Sequence, residues 1–249
     1  MFFLYSSVNK VEKSLKAMNI EKSEVKAVFS NQDGPHTNLQ ELVLKYIQTK
    51  YLRPIAEHTQ KAFEHANEFV KRRNCPIILD SGCGTGRSTQ VLASKHPSLT
   101  IIGVDKSEVR LSRSGMPQKN AMYVRAELLD FWRLALQEKW PIQYHALYYP
   151  NPWPKESEAG RRFHLHPIFP TLLSLAPYTE LRTNWEIYAE EFSMAACLAS
   201  EKMGLHLSIE KHNFQPTIPE TAFEEKYAKA GQILWKVICK TKNTSFFNL

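Results

Sequence analysis

An α/β fold, with a mostly parallel sheet covered by helices on both faces, is what this 249-residue sequence predicts. Three observations carry that prediction. Short apolar runs alternate with stretches of helical periodicity, as parallel strands joined by helical crossovers require. A glycine-rich loop directly follows the first main run. Acidic residues end the first two runs and follow the third, where an open parallel sheet receives its ligands.

The elements read in order. Residues 1–35 form an expected flexible basic arm, with Lys10, Lys13, Lys16, Lys22 and Lys26 among glutamates and a turn at Ser30-Asn31-Gln32-Asp33-Gly34-Pro35. Residues 36–74 read as a helical extension. Leu39, Leu42, Val43 and Tyr46 recur at helix spacing behind Thr37 or Asn38 as cap, and a second helix covers Ala56 to Phe69. Lys71-Arg72-Arg73-Asn74 closes that unit, and residues 75–249 form the main domain. Its predicted strands are Pro76–Leu79, Thr100–Val104, Met122–Val124, His145–Tyr149 and Glu180–Arg182, with two more at Leu205–Ile209 and Ile233–Ile238. Helices are expected over Ser88–Ser94, Leu128–Lys139 and Trp185–Lys202.

Composition narrows the function. Hydrophobic residues make up 43% and charged residues 23%, ordinary for a soluble globular chain. No apolar run approaches the about 18–20 residues of a membrane span. The apolar start Met1–Tyr5 is too short for a signal-peptide core. Cys75, Cys83, Cys197 and Cys239 are scattered, with no C-x-x-C pair, which fits a reducing cytosol and argues against a zinc site. The net charge of +7 favours polyanionic partners, nucleic acid above all.

The loop Asp80-Ser81-Gly82-Cys83-Gly84-Thr85-Gly86 has the spacing G-x-G-x-G. The dinucleotide fingerprint G-x-G-x-x-G fails from either starting glycine, because Arg87 or Thr89 takes the last position, and no G-K-[ST] follows for a phosphate loop. Asp105 ends the second strand about 20 residues on, where an acid accepts bonds from ribose hydroxyls. Asp80 ends the first strand and Glu127 follows the third. Three acids at successive strand ends suit a ligand with a ribose, an amino group and no pyrophosphate, such as S-adenosylmethionine.

Tyr148-Tyr149-Pro150-Asn151-Pro152-Trp153-Pro154-Lys155 follows the fourth strand. Three prolines stiffen this path. Trp153 offers a stacking face for a base, and Asn151 can meet base-edge donors and acceptors. The run Arg161-Arg162-Phe163-His164-Leu165-His166 is basic with interleaved aromatics. Its His-x-His pair has no third candidate ligand nearby, so no metal is expected.

These motifs, in this order, resemble the TrmB family of tRNA (guanine-N7)-methyltransferases. The resemblance runs from about Val28 to Cys239 and takes in Asp80 to Gly86, Asp105, Glu127, Pro150 to Lys155, Arg161-Arg162, Thr183-Asn184-Trp185-Glu186-Ile187-Tyr188 and Thr221-Ala222-Phe223-Glu224. It implies a Rossmann-like class I methyltransferase with a seven-stranded sheet. It also implies transfer from S-adenosylmethionine to N7 of guanine, at guanine-46 of the tRNA variable loop. Asp80, Gly82, Gly84, Gly86, Asp105, Glu127 and Asn151 then fall at the methyl donor, with Asn151 at the reacting centre. Lys155, Arg161, Arg162, Asn184, Tyr188, Thr221 and Glu224 fall at the RNA. The expected setting is a bacterial cytoplasm, as monomer or homodimer, with no membrane or metal partner.

Two positions depart from the family pattern: Asn151 and Asn184 stand where the family has aspartates. A carboxylate accepts from both N1–H and N2–H₂ of guanine, whereas an amide has one acceptor oxygen and brings donors of its own. Glu156 and Glu158 also thin the basic cluster. The alternatives these changes open are a related enzyme with another acceptor, an RNA base or an amide, and a catalytically weak RNA-binding relative.

Overall fold

The computed structural model describes residues 28–241. A seven-stranded sheet runs through them, with one strand at each of the seven positions the sequence predicts. The strands are β1 (Ile77–Ser81), β2 (Thr100–Asp105), β3 (Ala121–Arg125), β4 (Ile142–Tyr148), β5 (Tyr178–Thr183), β6 (Leu207–Phe214) and β7 (Leu234–Thr241). Their spatial order is β3-β2-β1-β4-β5-β7-β6, and β7 runs antiparallel between β5 and β6. All residues of β1 and β2 are buried, because both sheet faces are covered at the centre.

The helices are α1 (Leu39–Ile47), α2 (Glu57–Arg73), α3 (Arg87–Lys95), the single turn α4 (Glu108–Leu111), α5 (Leu128–Gln137), α6 (Phe169–Ser174), α7 (Glu186–Met203) and α8 (Ala222–Lys229). The larger core layer joins Phe63 and Val70 of α2, Phe131 and Trp132 of α5, and Tyr188 and Phe192 of α7 to the sheet. A smaller layer on the opposite face joins Leu92 and Ala93 of α3 to Ile78, Ile101, Tyr144 and Tyr148. Asn74, in the left-handed conformation, ends α2 immediately before β1, as the closing Lys-Arg-Arg-Asn run suggests.

The strand order reverses between β1 and β4. That is where an open α/β sheet leaves a crevice at its carboxyl end, and the glycine loop and the proline-rich segment both open there.

The expected arm falls largely on residues 1–27, which lie outside the described residues. Residues 28–36 run against the main fold. The Ser30 hydroxyl donates to the Pro154 carbonyl at 2.7 Å, and the His36 N–H donates to Glu191 at 2.8 Å. The turn chemistry of this stretch is local, but its partners lie more than a hundred residues away. No helix among the described residues is long and apolar enough to cross a membrane. The four cysteines are free thiols.

Candidate active site

The glycine loop builds the floor of the crevice. Gly82, Gly84 and Gly86 have φ of 78°, 59° and 77°, a left-handed conformation that side chains disfavour. The Gly82 and Cys83 N–H groups donate to the Val104 carbonyl at 2.7 and 3.0 Å, which ties the loop to the end of β2. A Cβ at Gly86 would meet the Tyr123 ring at 2.4 Å, so this glycine is required for packing. A Cβ at Gly84 meets no protein atom within 4 Å, so the backbone there is open to a ligand.

Asp105 stands beside it. Its Oδ2 accepts the Gly84 N–H at 3.0 Å, its Oδ1 accepts the Ser107 N–H at 2.8 Å, and Arg110 approaches Oδ1 at 3.3 Å. Asp105 therefore holds the loop in shape and lines the crevice at once. Glu127 precedes α5 and is half-buried. Its backbone N–H is taken by the Thr59 hydroxyl, and its side chain makes no capping bond, so the carboxylate is available to the crevice it lines.

Asp80 departs from expectation. It is 1% exposed and lies behind the loop, where its Oδ2 accepts from the Ser88 and Thr89 hydroxyls at 2.7 and 2.6 Å. It anchors the first turn of α3 and does not line the crevice. Burial raises its pKa to about 6, against the lowering effect of those hydroxyls. A carboxyl raised in this way favours the fold when protonated. The penalty is absent below about pH 4, grows through the window up to 6 and is complete above it. Asp80→Asn is therefore expected to stabilise the protein at pH 7.5 by up to about 3 kcal/mol, and by much less at pH 4. Urea denaturation at the two pH values checks this, and equal differences at both would contradict it.

The segment after β4 forms the opposite wall. Tyr149 and Trp153 have φ of 51° and 45°, which bulky residues rarely adopt and which surrounding contacts must hold. The Tyr149 N–H donates to the Arg182 carbonyl at 2.7 Å. The Trp153 carbonyl accepts from Arg162 Nε and Nη2 at 3.2 and 2.9 Å. Asn151 is exposed on the rim, with its Oδ1 3.4 Å from the Trp153 N–H. Arg161 lies over the Trp153 ring, 3.4 Å from its centroid, and pairs with Glu158 at 3.1 Å.

Arg162 corrects a second expectation. It is fully buried and cannot meet a phosphate. Its Nη1 donates to both oxygens of Glu191, at 2.8 and 2.6 Å, and His164 Nε2 lies 2.8 Å from Glu191 Oε2. Burial opposes ionisation of Glu191, but His164 and Arg162 more than offset it and hold its pKa down to about 2. Burial lowers the His164 pKa, so its neutral ring donates Nε2–H to the carboxylate. His166 turns elsewhere and accepts the Ile168 N–H, so the His-x-His pair does not converge.

The remaining wall comes from α8 and the end of β5. Asn184 lines the crevice, and its Nδ2 donates to Gln232 Oε1 at 3.0 Å. Thr221 and Glu224 are buried and do not line it. The Thr221 hydroxyl accepts the Glu224 N–H at 2.9 Å, a helix N-cap, while Glu224 accepts the Glu220 N–H and pairs with Arg182 at 2.7 Å. Together they fix α8 so that Phe223 and Tyr227 face the crevice, with ring centroids 6.2 and 5.8 Å from Tyr149. Tyr188 is 1% exposed and packs edge-on against His164 at 4.8 Å, away from any substrate. Lys155 is exposed beyond Pro154.

The crevice encloses about 520 Å³. It brings together Gly82, Asp105, Glu127, Asn151, Trp153, Arg161 and Asn184 from the expected set. It adds Tyr149, Phe223, Tyr227, Lys106 and Arg110, which sequence reasoning missed. Phe223 sits inside a recognised motif, and the polar residues beside it drew the reading away from its ring. The fit to S-adenosylmethionine rests on the open backbone at Gly84, two carboxylates at successive strand ends, and a glycine loop without a phosphate cradle. Among the described residues no group of three or more His, Cys, Asp or Glu side chains is placed to hold a metal.

A family model described as "Putative methyltransferase" matches residues 74–237. A tRNA (guanine-N(7)-)-methyltransferase of Bordetella pertussis is 28% identical over 224 residues, covering 85% of this chain and 84% of the relative. One of Nitrosospira multiformis is 27% identical, covering 86% and 93%. One of Acinetobacter baylyi is 23% identical, covering 86% of each. Among solved structures, an antibiotic-related methyltransferase superposes with a TM-score of 0.50 at 15% identity, covering 78% of this chain and 97% of that one, a likeness of fold.

Proposed function

This chain belongs to the TrmB methyltransferase family, and from that membership we propose that it methylates N7 of a guanine in tRNA, at guanine-46 of the variable loop, in the cytoplasm. The observation that carries the proposal is one crevice lined by donor-type acids, Asp105 and Glu127, and by acceptor-type groups, Asn151, Trp153 and Asn184. The relatives' names support the acceptor. Residues 75–249 carry the chemistry in this reading, and residues 36–74 brace it.

S-adenosylmethionine, which Asp105 and Glu127 would hold, would supply an electrophilic methyl to the N7 lone pair of guanine, the carbon–sulfur electron pair leaving with S-adenosylhomocysteine. Guanine N7 carries no proton, so the residues have none to remove. Their task is position, and holding two reactants in a near-attack arrangement contributes about 7–11 kcal/mol. Asp105 and Glu127 accept from the donor's hydroxyl and amino groups. Asn151, held on a proline-stiffened rim, orients the methyl and the acceptor edge. Tyr149, Phe223 and Tyr227 exclude water and offer ring faces to the base. Asn184 gives one amide N–H to Gln232, and in this reading its oxygen accepts from the base.

The two asparagines test this acceptor. Asn151→Asp combined with Asn184→Asp restores a charge-assisted hydrogen bond to the base, about 1–2 kcal/mol stronger than a neutral one. If guanine is the base, the double variant is expected to form 7-methylguanosine roughly five- to thirtyfold faster on unmodified tRNA. A slower reaction, with a different methylated nucleoside from the unaltered protein, would mean that the site is tuned to another acceptor.

A further inference from the structure

The basic cluster expected to meet RNA is electrostatically balanced at the surface. Arg162 is buried on Glu191, and Lys155 and Arg161 share their exposed segment with Glu156 and Glu158. A stretch of net positive charge lies across the crevice, between β2 and β3. From Lys106 to Lys119 the chain holds four cations, Lys106, Arg110, Arg113 and Lys119, against one acid, Glu108. All four are exposed, and Glu108 is paired with Arg125 of β3 at 2.9 Å. Lys106 and Arg110 line the crevice itself. Val109 and Met116 stand among these cations, 62% and 92% exposed.

We infer that the surface from Lys106 to Lys119 takes the sugar-phosphate backbone of the RNA substrate and delivers the target base to the crevice beside it. The inference rests on the tRNA reading above. Cations spaced along one exposed stretch neutralise successive phosphates and release counterions, while exposed apolar side chains between them meet sugar and base faces. Arg110 joins the two regions, because it pairs with the loop-holding Asp105 and still leaves nearly half its side chain in solvent. The segment's position next to Asp105 puts a bound phosphate chain on the donor side of the crevice, so the base enters between Arg110 and Trp153.

The test is the salt dependence of tRNA binding by the full chain, read by fluorescence anisotropy with labelled unmodified tRNA. Arg113→Ala with Lys119→Ala removes two exposed cations that do not line the crevice. The slope of log affinity against log salt is expected to fall by about 1.4–1.8, at roughly 0.7–0.9 per phosphate, with donor affinity unchanged by calorimetry. Lys155→Ala with Arg161→Ala is expected to move the slope by less than half as much. An unchanged slope in the first variant, with normal tRNA binding by the unaltered protein, overturns this surface and leaves the acceptor reading standing. No tRNA binding by the unaltered protein at any salt overturns both.

Discussion

Glu191→Ala is expected to destabilise the fold by about 3–5 kcal/mol, because it strands the buried Arg162 guanidinium without its counterion. Glu191 also accepts from the His36 N–H and from Gln32, while Arg162 holds the Trp153 carbonyl. One carboxylate thus ties α7, the segment before α1 and the rim of the crevice together. Its loss is expected to lower the urea midpoint sharply and to loosen the Trp153 rim. The pH dependence separates the ion pair from simple packing. A pKa held down to about 2 from 4.5 contributes stability that is full above about pH 4.5 and lost as pH falls toward 2. In Glu191→Gln that acid-side loss should vanish. A variant as stable as the natural chain, or one that keeps the same acid transition, would contradict the account.

Asp105→Ala is expected to weaken S-adenosylmethionine binding by about 1.5–3 kcal/mol, roughly ten- to hundredfold, the scale of hydrogen bonds to a charged group. Two losses combine. The ribose acceptor goes, and the Gly84 and Ser107 N–H groups lose the oxygen that fixes the loop. Calorimetry of the purified protein without RNA reads this directly. Unchanged donor affinity would remove Asp105 and the glycine loop from the donor site.

The strands were legible because burial on both faces leaves uninterrupted runs such as Ile77-Ile78-Leu79 and Ile101-Ile102. The short α6 and α8 were not. Neither is long enough for a clear period, and α6 has Pro170 in its first turn, which reads equally as a turn. Within the crevice, Gly82, Asp105, Glu127 and Asn151 were legible because strand ends place them locally. Arg161 and Arg162 are adjacent and chemically identical in the sequence. What separates a surface cation from a buried one is Glu191, twenty-nine residues further on. Tyr188 and Glu224 follow the same logic. Each belongs to a recognisable motif, and long-range packing against His164 or Arg182 turns it inward. Asp80 shows the local version, since the two hydroxyls that claim it stand only eight and nine residues away.

The measurement that bears most directly on the central claim is nucleoside analysis after incubating the full chain with labelled S-adenosylmethionine and tRNA lacking modifications. The account predicts label in 7-methylguanosine, reduced in Asp105→Ala and increased in the double asparagine-to-aspartate variant. Label in another nucleoside, or none in RNA from either the natural chain or the double variant, would contradict it.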